Sequence, residues 1–537
     1  ETKRLKSIVT SVDGQKVLSY NFRYQYCLTT GRSQLTQIKQ CDASEKCLSP
    51  ATFTWQQGDP ALIDSTGTSL TMVTKYSDGL FPVDVNADGL IDLVSLTSRS
   101  SQDFRIHTYK SDGDQLKSSA SQRFIQSNRN GHLMPLDASG DGKTDLIYAL
   151  NLTGSGSPFS IQLFKSNGDG FENPSLFESP RNITRSTGKL VPADINGDGK
   201  TDLVYYTLNS DNRLTLHTFI SDGKTFTYGK TQKDILEGQR SATLIPMDVN
   251  GDGMMDLTYS NRRTATLQTY ILLSSGDSFS LSAPRELKPL RINTEGKLLA
   301  ADVNADGMQD LVYVVGLRNR PLEISTFFSN GVNFEPGVYK EGAVAHNGQF
   351  MAADINGDDK TDLMVIATDN SYPFQMNVYV SDGTNFQAAK RIQTAAPRNG
   401  IPIPMDMDGD AKTDIVYAVS NYEEHRFTKF ISGKPHPDLI SSFGNGIGGA
   451  IDVTYKPLTD PTVHTRGDER EDDSQLPAGC LIGGISGATF GIGDRSNGIT
   501  GAPPPIINVS FPTYVVAGFT KKDGRGNAYQ YNHKYKG

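Results

Sequence analysis

Seven short acidic segments carry the side chains with the clearest chemistry in this chain. Each reads D-x-(D/N/S)-x-D-(G/D/A)-x-x-D and is followed by Leu or Ile. The copies are DVNADGLID from Asp84, DASGDGKTD from Asp137, DINGDGKTD from Asp194, DVNGDGMMD from Asp248, DVNADGMQD from Asp302, DINGDDKTD from Asp354 and DMDGDAKTD from Asp406. Three or four oxygen-bearing side chains held in one turn repel one another, and burial sharpens the repulsion. A hard divalent cation resolves it: calcium takes six to eight oxygens at about 2.3–2.6 Å, from carboxylates, amides, backbone carbonyls and water.

The predicted ligands of loop one are Asp84, Asn86, Asp88 and Asp92, with the backbone carbonyl of Leu90. Position seven contributes through its carbonyl in every copy. Loop two then offers Asp137, Ser139, Asp141, Lys143 and Asp145, and loop three Asp194, Asn196, Asp198, Lys200 and Asp202. Loop four has Asp248, Asn250, Asp252, Met254 and Asp256, and loop five Asp302, Asn304, Asp306, Met308 and Asp310. Loop six has Asp354, Asn356, Asp358, Lys360 and Asp362; loop seven has Asp406, Asp408, Asp410, Lys412 and Asp414. Position twelve is never Glu but Ser95, Tyr148, Tyr205, Tyr259, Tyr313, Val365 and Tyr417, which suits an outgoing strand and not the bidentate ligand of a helix–loop–helix site. Asp and Asn also favour plain turns, but seven copies at one spacing favour a cation. Loops two and seven are expected to be weakest or differently coordinated. Ser139 is a poorer ligand than Asn or Asp, and Ala411 strains a turn that glycine makes in loops one to five and Asp359 in loop six, although Asp408 adds a carboxylate. Seven divalent ions add fourteen positive charges to the formal −8, giving +6.

The elements that hold these loops are strands. Successive motifs start 53, 57, 54, 54, 52 and 52 residues apart. Between them the apolar residues alternate with period two. A tight turn recurs in each interval, as Ser111-Asp112-Gly113, Ser166-Asn167-Gly168, Ser221-Asp222-Gly223, Ser275-Gly276, Ser329-Asn330-Gly331 and Ser381-Asp382-Gly383. Its Asp-Gly and Asn-Gly pairs supply the positive φ angles of a two-residue hairpin. Phe171, Phe226, Phe279, Phe334 and Phe386 follow three residues after the turn glycine, with Leu116 in the first copy. Four short strands repeated about seven times describe an all-β propeller of about seven four-stranded blades. An open β-solenoid is the competitor. The blade count stays open between six and eight, because the seventh turn, Ser432-Gly433-Lys434, is degenerate and the strand TFTWQ can complete a blade.

The 537 residues suit one large propeller at 61–440 with flanks at 1–60 and 441–537. Both flanks read as strands, so the chain looks like a piece of something larger. No apolar run is long enough to span a membrane, and the net charge argues against nucleic acid. Cys41 and Cys47 bracket CDASEKC and can bridge, or stay thiols with Cys27 and Cys480.

Loop and hairpin recurring in register resemble the FG-GAP (VCBS-type) repeat. Residues 19–57, with SYNFRYQY and TTGRSQLTQIKQC, look like the segment before the propeller in SpvB-like proteins and the B component of bacterial Tc toxin complexes. SSFGNGIGGAIDVTYKPLTDPTVHT is similar to the segment after it, and AYQYNHKYKG to Rhs/YD-type shell strands. The resemblance implies a secreted bacterial protein whose propeller is flanked by partial shell strands. Its partners would be the rest of the shell and other toxin subunits.

Other motifs do not carry chemistry. GNGIGG from Gly444 runs into a strand and not the helix a dinucleotide site needs. Arg466-Gly467-Asp468 lies in a charged loop, the sequons at Asn151, Asn182 and Asn508 matter only in a eukaryotic secretory pathway, and the histidines show no metal spacing. The expected function is therefore a calcium-stabilised scaffold and docking module and not an enzyme. The alternative is a free-standing adhesin or lectin binding a host protein or glycan.

Overall fold

The computed structural model describes residues 3–58, 68–72, 79–100, 103–125, 131–150, 152, 158–181, 183, 188–239, 242–293, 296–317, 320–345, 348–367, 374–393, 400–420, 425–433, 435–465 and 513–536. Among these there is no helix. Seven antiparallel meanders form the blades. Blade one, Gly79–Val83, Asp92–Ser100, Asp103–Ser111 and Leu116–Ile125, shows the plan: the acidic loop joins the first strand to the second, and the Ser-Asp-Gly hairpin joins the third to the fourth.

The seventh blade settles the count and the closure. Its strands Ile401–Met405, Asp414–Ser420 and His425–Phe430 are completed by Thr68–Met72, which pairs with His425–Phe430 from the other end of the chain. The strand TFTWQ does not fill that place. Ala51–Trp55 pairs instead with Ile440–Gly444. The ring is thus closed by a strand from before the first motif, as an open solenoid could not be.

Packing follows the ring. Each buried cluster lies between two neighbouring blades, as where Ile147 and Phe159 of blade two meet Leu203 and Phe219 of blade three. The last such layer joins Leu93 and Tyr109 of blade one to Met405, Val416 and Phe427 of blade seven. The second strands of blades two and three are buried along their whole length because blades cover both faces, which is why they read as the continuous apolar runs DLIYAL and DLVYYTL.

The two flanks merge. Ser7–Val12, Gln15–Tyr26, Ser33–Asp42 and Ala51–Trp55 continue through Ile440–Gly444, Gly449–Pro457, Tyr514–Asp523 and Ala528–Asn532 as one eight-stranded sheet. Cys41 and Cys47 form a disulfide at one of its loops, and Cys27 is a buried free thiol.

Candidate cation-binding loops

Every predicted loop residue lies on one ring of seven loops, and backbone hydrogen bonds run round that ring without a break. The position-eight N–H of each loop donates to the position-one carbonyl of the loop before it: Thr144 to Asp84, Thr201 to Asp137, Met255 to Asp194, Gln309 to Asp248, Thr361 to Asp302, Thr413 to Asp354, and Ile91 to Asp406. The N···O distances are 2.6–2.9 Å.

Position nine is the inner anchor. Asp92, Asp145, Asp202, Asp256, Asp310, Asp362 and Asp414 are all fully buried, at 0% exposure. One oxygen of each accepts from the loop's own backbone, as Val85 N–H to Asp92 at 3.1 Å. The other accepts from the hairpin serine N–H, as Ser111 to Asp92 at 2.7 Å. The serine hydroxyl then donates to the position-two carbonyl of the preceding blade: Ser166 to Val85, Ser221 to Ala138, Ser274 to Ile195, Ser329 to Val249, Ser381 to Val303 and Ser111 to Met407. Ser432 differs, pointing its hydroxyl at Asp410, while its N–H still holds Asp414. The recurring serine thus ties loop, hairpin and neighbouring blade together, a role that its spacing alone does not reveal.

Position one organises the turn. Asp194 accepts from Gly197 and Gly199 at 2.8 and 2.9 Å, and the same pair of bonds recurs at Asp137 and Asp248. Positions four and six both adopt left-handed backbone. Ala411 at φ 65° carries the strain expected of it, and Ala87 and Ala305 at φ 53° and 58° carry more of the same at position four.

Burial makes these carboxylates poor anions. It pushes the Asp92 and Asp414 carboxyls up to about 8, and Asp145, Asp202 and Asp310 to about 7, against the pull of their backbone donors. Asp406 rises to about 7 and Asp84 and Asp354 to about 6, through burial first and the neighbouring position-five carboxylate next. Such a set demands protons or a cation. An all-oxygen donor set suits a hard divalent ion, and Asp84 Oδ1 is a buried acceptor with no hydrogen-bond donor facing it. The residues present therefore fit calcium.

Position five is satisfied in two ways. In loops one, four and five the position-three amide donates to it, as Asn86 to Asp88 at 2.8 Å. Where position seven is lysine, its ammonium does so: Lys143 to Asp141 at 3.2 Å, Lys200 to Asp198 at 2.7 Å, Lys360 to Asp358, and Lys412 beside Asp410 at 3.0 Å. The lysine side chains were not foreseen as counter-charges. Ser139 donates its hydroxyl to Asp137 at 3.3 Å. Loop seven, ranked low beside it, gathers carboxylate oxygens of Asp406, Asp408 and Asp414 within 4.8 Å of one another.

The ring is not evenly exposed. The flank sheet covers loops six and seven. Arg32 donates to the Asp358 carbonyl and the Asp359 carboxylate, both at 2.7 Å. Asp438 accepts from Thr30 and Gln34 at 2.6 and 2.7 Å, and Thr459 donates to the Gly409 carbonyl at 3.0 Å. On the flank sheet a shallow apolar hollow of about 450 Å³ is lined by Ile451, Val453, Tyr455, Val516 and Phe519, with His533 at its rim and no carboxylate.

Fold and loops together define a seven-bladed β-propeller, and part of it resembles a known repeat. Residues 84–148, 137–205 and 194–259 match the FG-GAP-like repeat family. A T-cell immunomodulatory protein homolog of Plasmodium yoelii yoelii is 29% identical over 208 residues, which is 33% of this chain and 29% of that protein. Its Plasmodium falciparum namesake is 29% identical over 206 residues, 33% and 28% of the two chains. The match thus spans less than a third of these relatives. Among solved structures, a chain of the Photorhabdus luminescens Tc holotoxin pore aligns over 84% of this chain and 18% of its own length, at 16% identity and a TM-score of 0.51.

Proposed function

We propose that this chain is a calcium-stabilised propeller serving as scaffold and docking module in a secreted, toxin-like assembly, binding partners and catalysing nothing. The observation that carries the reading is the union of both flanks in one open sheet locked onto the ring. Its edge strands Ser7–Val12 and Ala528–Asn532 are exposed, with Val9, Val12 and Tyr529 at 53%, 63% and 52% exposure. A single-layer sheet with apolar residues in water, and with no further strand on either edge among the described residues, is incomplete by itself. Further strands of a shell, of the kind found in Tc-type assemblies, would complete it and leave the propeller as the docking face.

The loops would hold calcium through their position-one, -three, -five and -nine oxygens, and the ion would neutralise the carboxylates. Each site of extracellular-type affinity adds on the order of 0.5–1.5 kcal/mol in millimolar calcium. Thermal melting with and without EGTA tests this half of the reading. A fall of many degrees on chelation, restored by excess calcium, is expected; an unchanged melt overturns it. For the scaffold half, the chain should co-purify with the shell-forming remainder of its own protein. The second reading is a free-standing adhesin or lectin that binds a host protein or glycan; the Plasmodium relatives' name points to an immunomodulatory role. Selective binding on a glycan array, without association with shell strands, would favour it.

A further inference from the structure

We propose that loop six carries its own counter-charge, with Lys360 of the loop and Arg32 of the N-terminal flank standing where loops one, four and five take a divalent ion. The inference rests on the calcium reading and narrows it to particular copies. In loops one, four and five position seven is Leu90, Met254 or Met308, and the position-five carboxylate has only a neutral amide on its outer oxygen. That amide is neutral and its oxygen accepts from the position-five N–H, so nothing charged has to leave when a cation arrives.

Loop six is built differently. The Lys360 ammonium bonds Asp358, and the two side chains are 13% and 1% exposed. The ammonium displaces Asn356 from the oxygen its counterparts hold. Asn356 is 4% exposed and its Nδ2 is left with no hydrogen-bond partner. Arg32 adds a second positive charge through the Asp358 carbonyl and the Asp359 carboxylate, and lies 3.7 Å from Asp438. Lys360 neutralises a ligand carboxylate directly, while Arg32, itself paired with Asp359 and Asp438, caps the loop from outside through the Asp358 carbonyl. Separating a buried pair leaves an uncompensated charge on each side, a larger loss than one weak calcium site returns.

The other lysine loops do not meet both conditions. Lys143 and Lys200 pair with carboxylates 40% and 35% exposed, where water screens the bond and an ion can replace the ammonium. Lys412 is as buried as its partner Asp410, but the extra carboxylate of Asp408 keeps three together with Asp406 and Asp414. Loop six is therefore where the flank docks as a counter-ion, which joins the sheet to the ring independently of calcium.

The test is the calcium stoichiometry of the full chain by isothermal titration, with calcium alone as the probe. Asp354→Asn should leave the number of bound ions unchanged, whereas Asp302→Asn should lower it by one. The double variant Lys360→Met with Arg32→Gln should gain one ion. Loss of an ion in Asp354→Asn overturns the inference. If that variant does not fold, the double variant decides, and no gain there overturns it. A wild-type chain that binds no calcium overturns the calcium reading itself, an outcome distinct from seven ions with one lost in Asp354→Asn.

Discussion

Asp92 and its six equivalents are the hinge between stability and metal chemistry. Without a cation, burial holds these carboxyls far above the 3.8 of a free aspartate, up to about 8 at Asp92 and Asp414 and about 7 at Asp145, Asp202 and Asp310. The folded chain then keeps protons that the unfolded chain releases between about pH 4 and pH 8, so metal-free stability falls as pH rises through that window. His217, held near 4 by burial, acts in the opposite sense between about 4 and 6.5, which leaves pH 6.5 to 8 as the clean range. In EGTA the melting temperature should drop from pH 6.5 to 8. Saturating calcium should abolish or reverse the trend, because the ion binds the deprotonated carboxylates. A midpoint that rises with pH in EGTA would contradict the assignment.

At the scale of the element, the position-twelve tyrosines do what their sequence context only hints at. Tyr205, Tyr259, Tyr313 and Tyr417 are buried, and the hydroxyls of the last three hold the chain that leads into a first strand, as Gln239 N–H to Tyr259 at 3.0 Å and Gly400 N–H to Tyr417 at 2.8 Å, while Tyr205 donates to the Leu152 carbonyl after the second strand of blade two at 2.7 Å. That chain must pass close to the ring, and glycine allows it. A Cβ at Gly188 would lie 1.5 Å from the Tyr205 hydroxyl. Gly188→Ala should therefore cost about 1–3 kcal/mol in urea denaturation, the usual range for an overpacked core. Tyr205→Phe in the same chain should recover part of the loss, since it removes the nearest atom. Equal stability of Gly188→Ala and wild type would show that the tyrosine has room to move.

At the scale of the whole molecule, closure depends on five residues far from the motifs. Thr68–Met72 completes blade seven by pairing with His425–Phe430. Replacing both Ser69 and Leu70 by proline must remove a ladder hydrogen bond, because successive N–H groups face opposite sides and one of them faces the partner strand. This change should lower the melting temperature and expose the amides of blade seven to hydrogen exchange first. Val9→Pro on the exposed edge Ser7–Val12 serves as the control and should leave the propeller melt unchanged. Uniform protection round the ring in the double proline variant would mean that the ring closes by packing alone.

The repeat itself was legible because it is local. Nine residues specify each acidic turn, two specify each hairpin, and period-two alternation specifies the strands between, so the blade plan and the candidate ligands could be read without contacts. What the sequence could not decide was everything carried by long separations. TFTWQ and Thr68–Met72 are both short strands before the first motif, and only the geometry of the closing ring sends one to the flank sheet and the other to blade seven. Loops six and seven read much like their neighbours, yet the flank lies against them, and Arg32 reaches Asp358 across 326 positions in sequence. Local chemistry places several oxygen-bearing side chains in each of seven loops. Tertiary burial decided how their carboxylates are neutralised, because the cost of leaving a charge unpaired depends on what covers it.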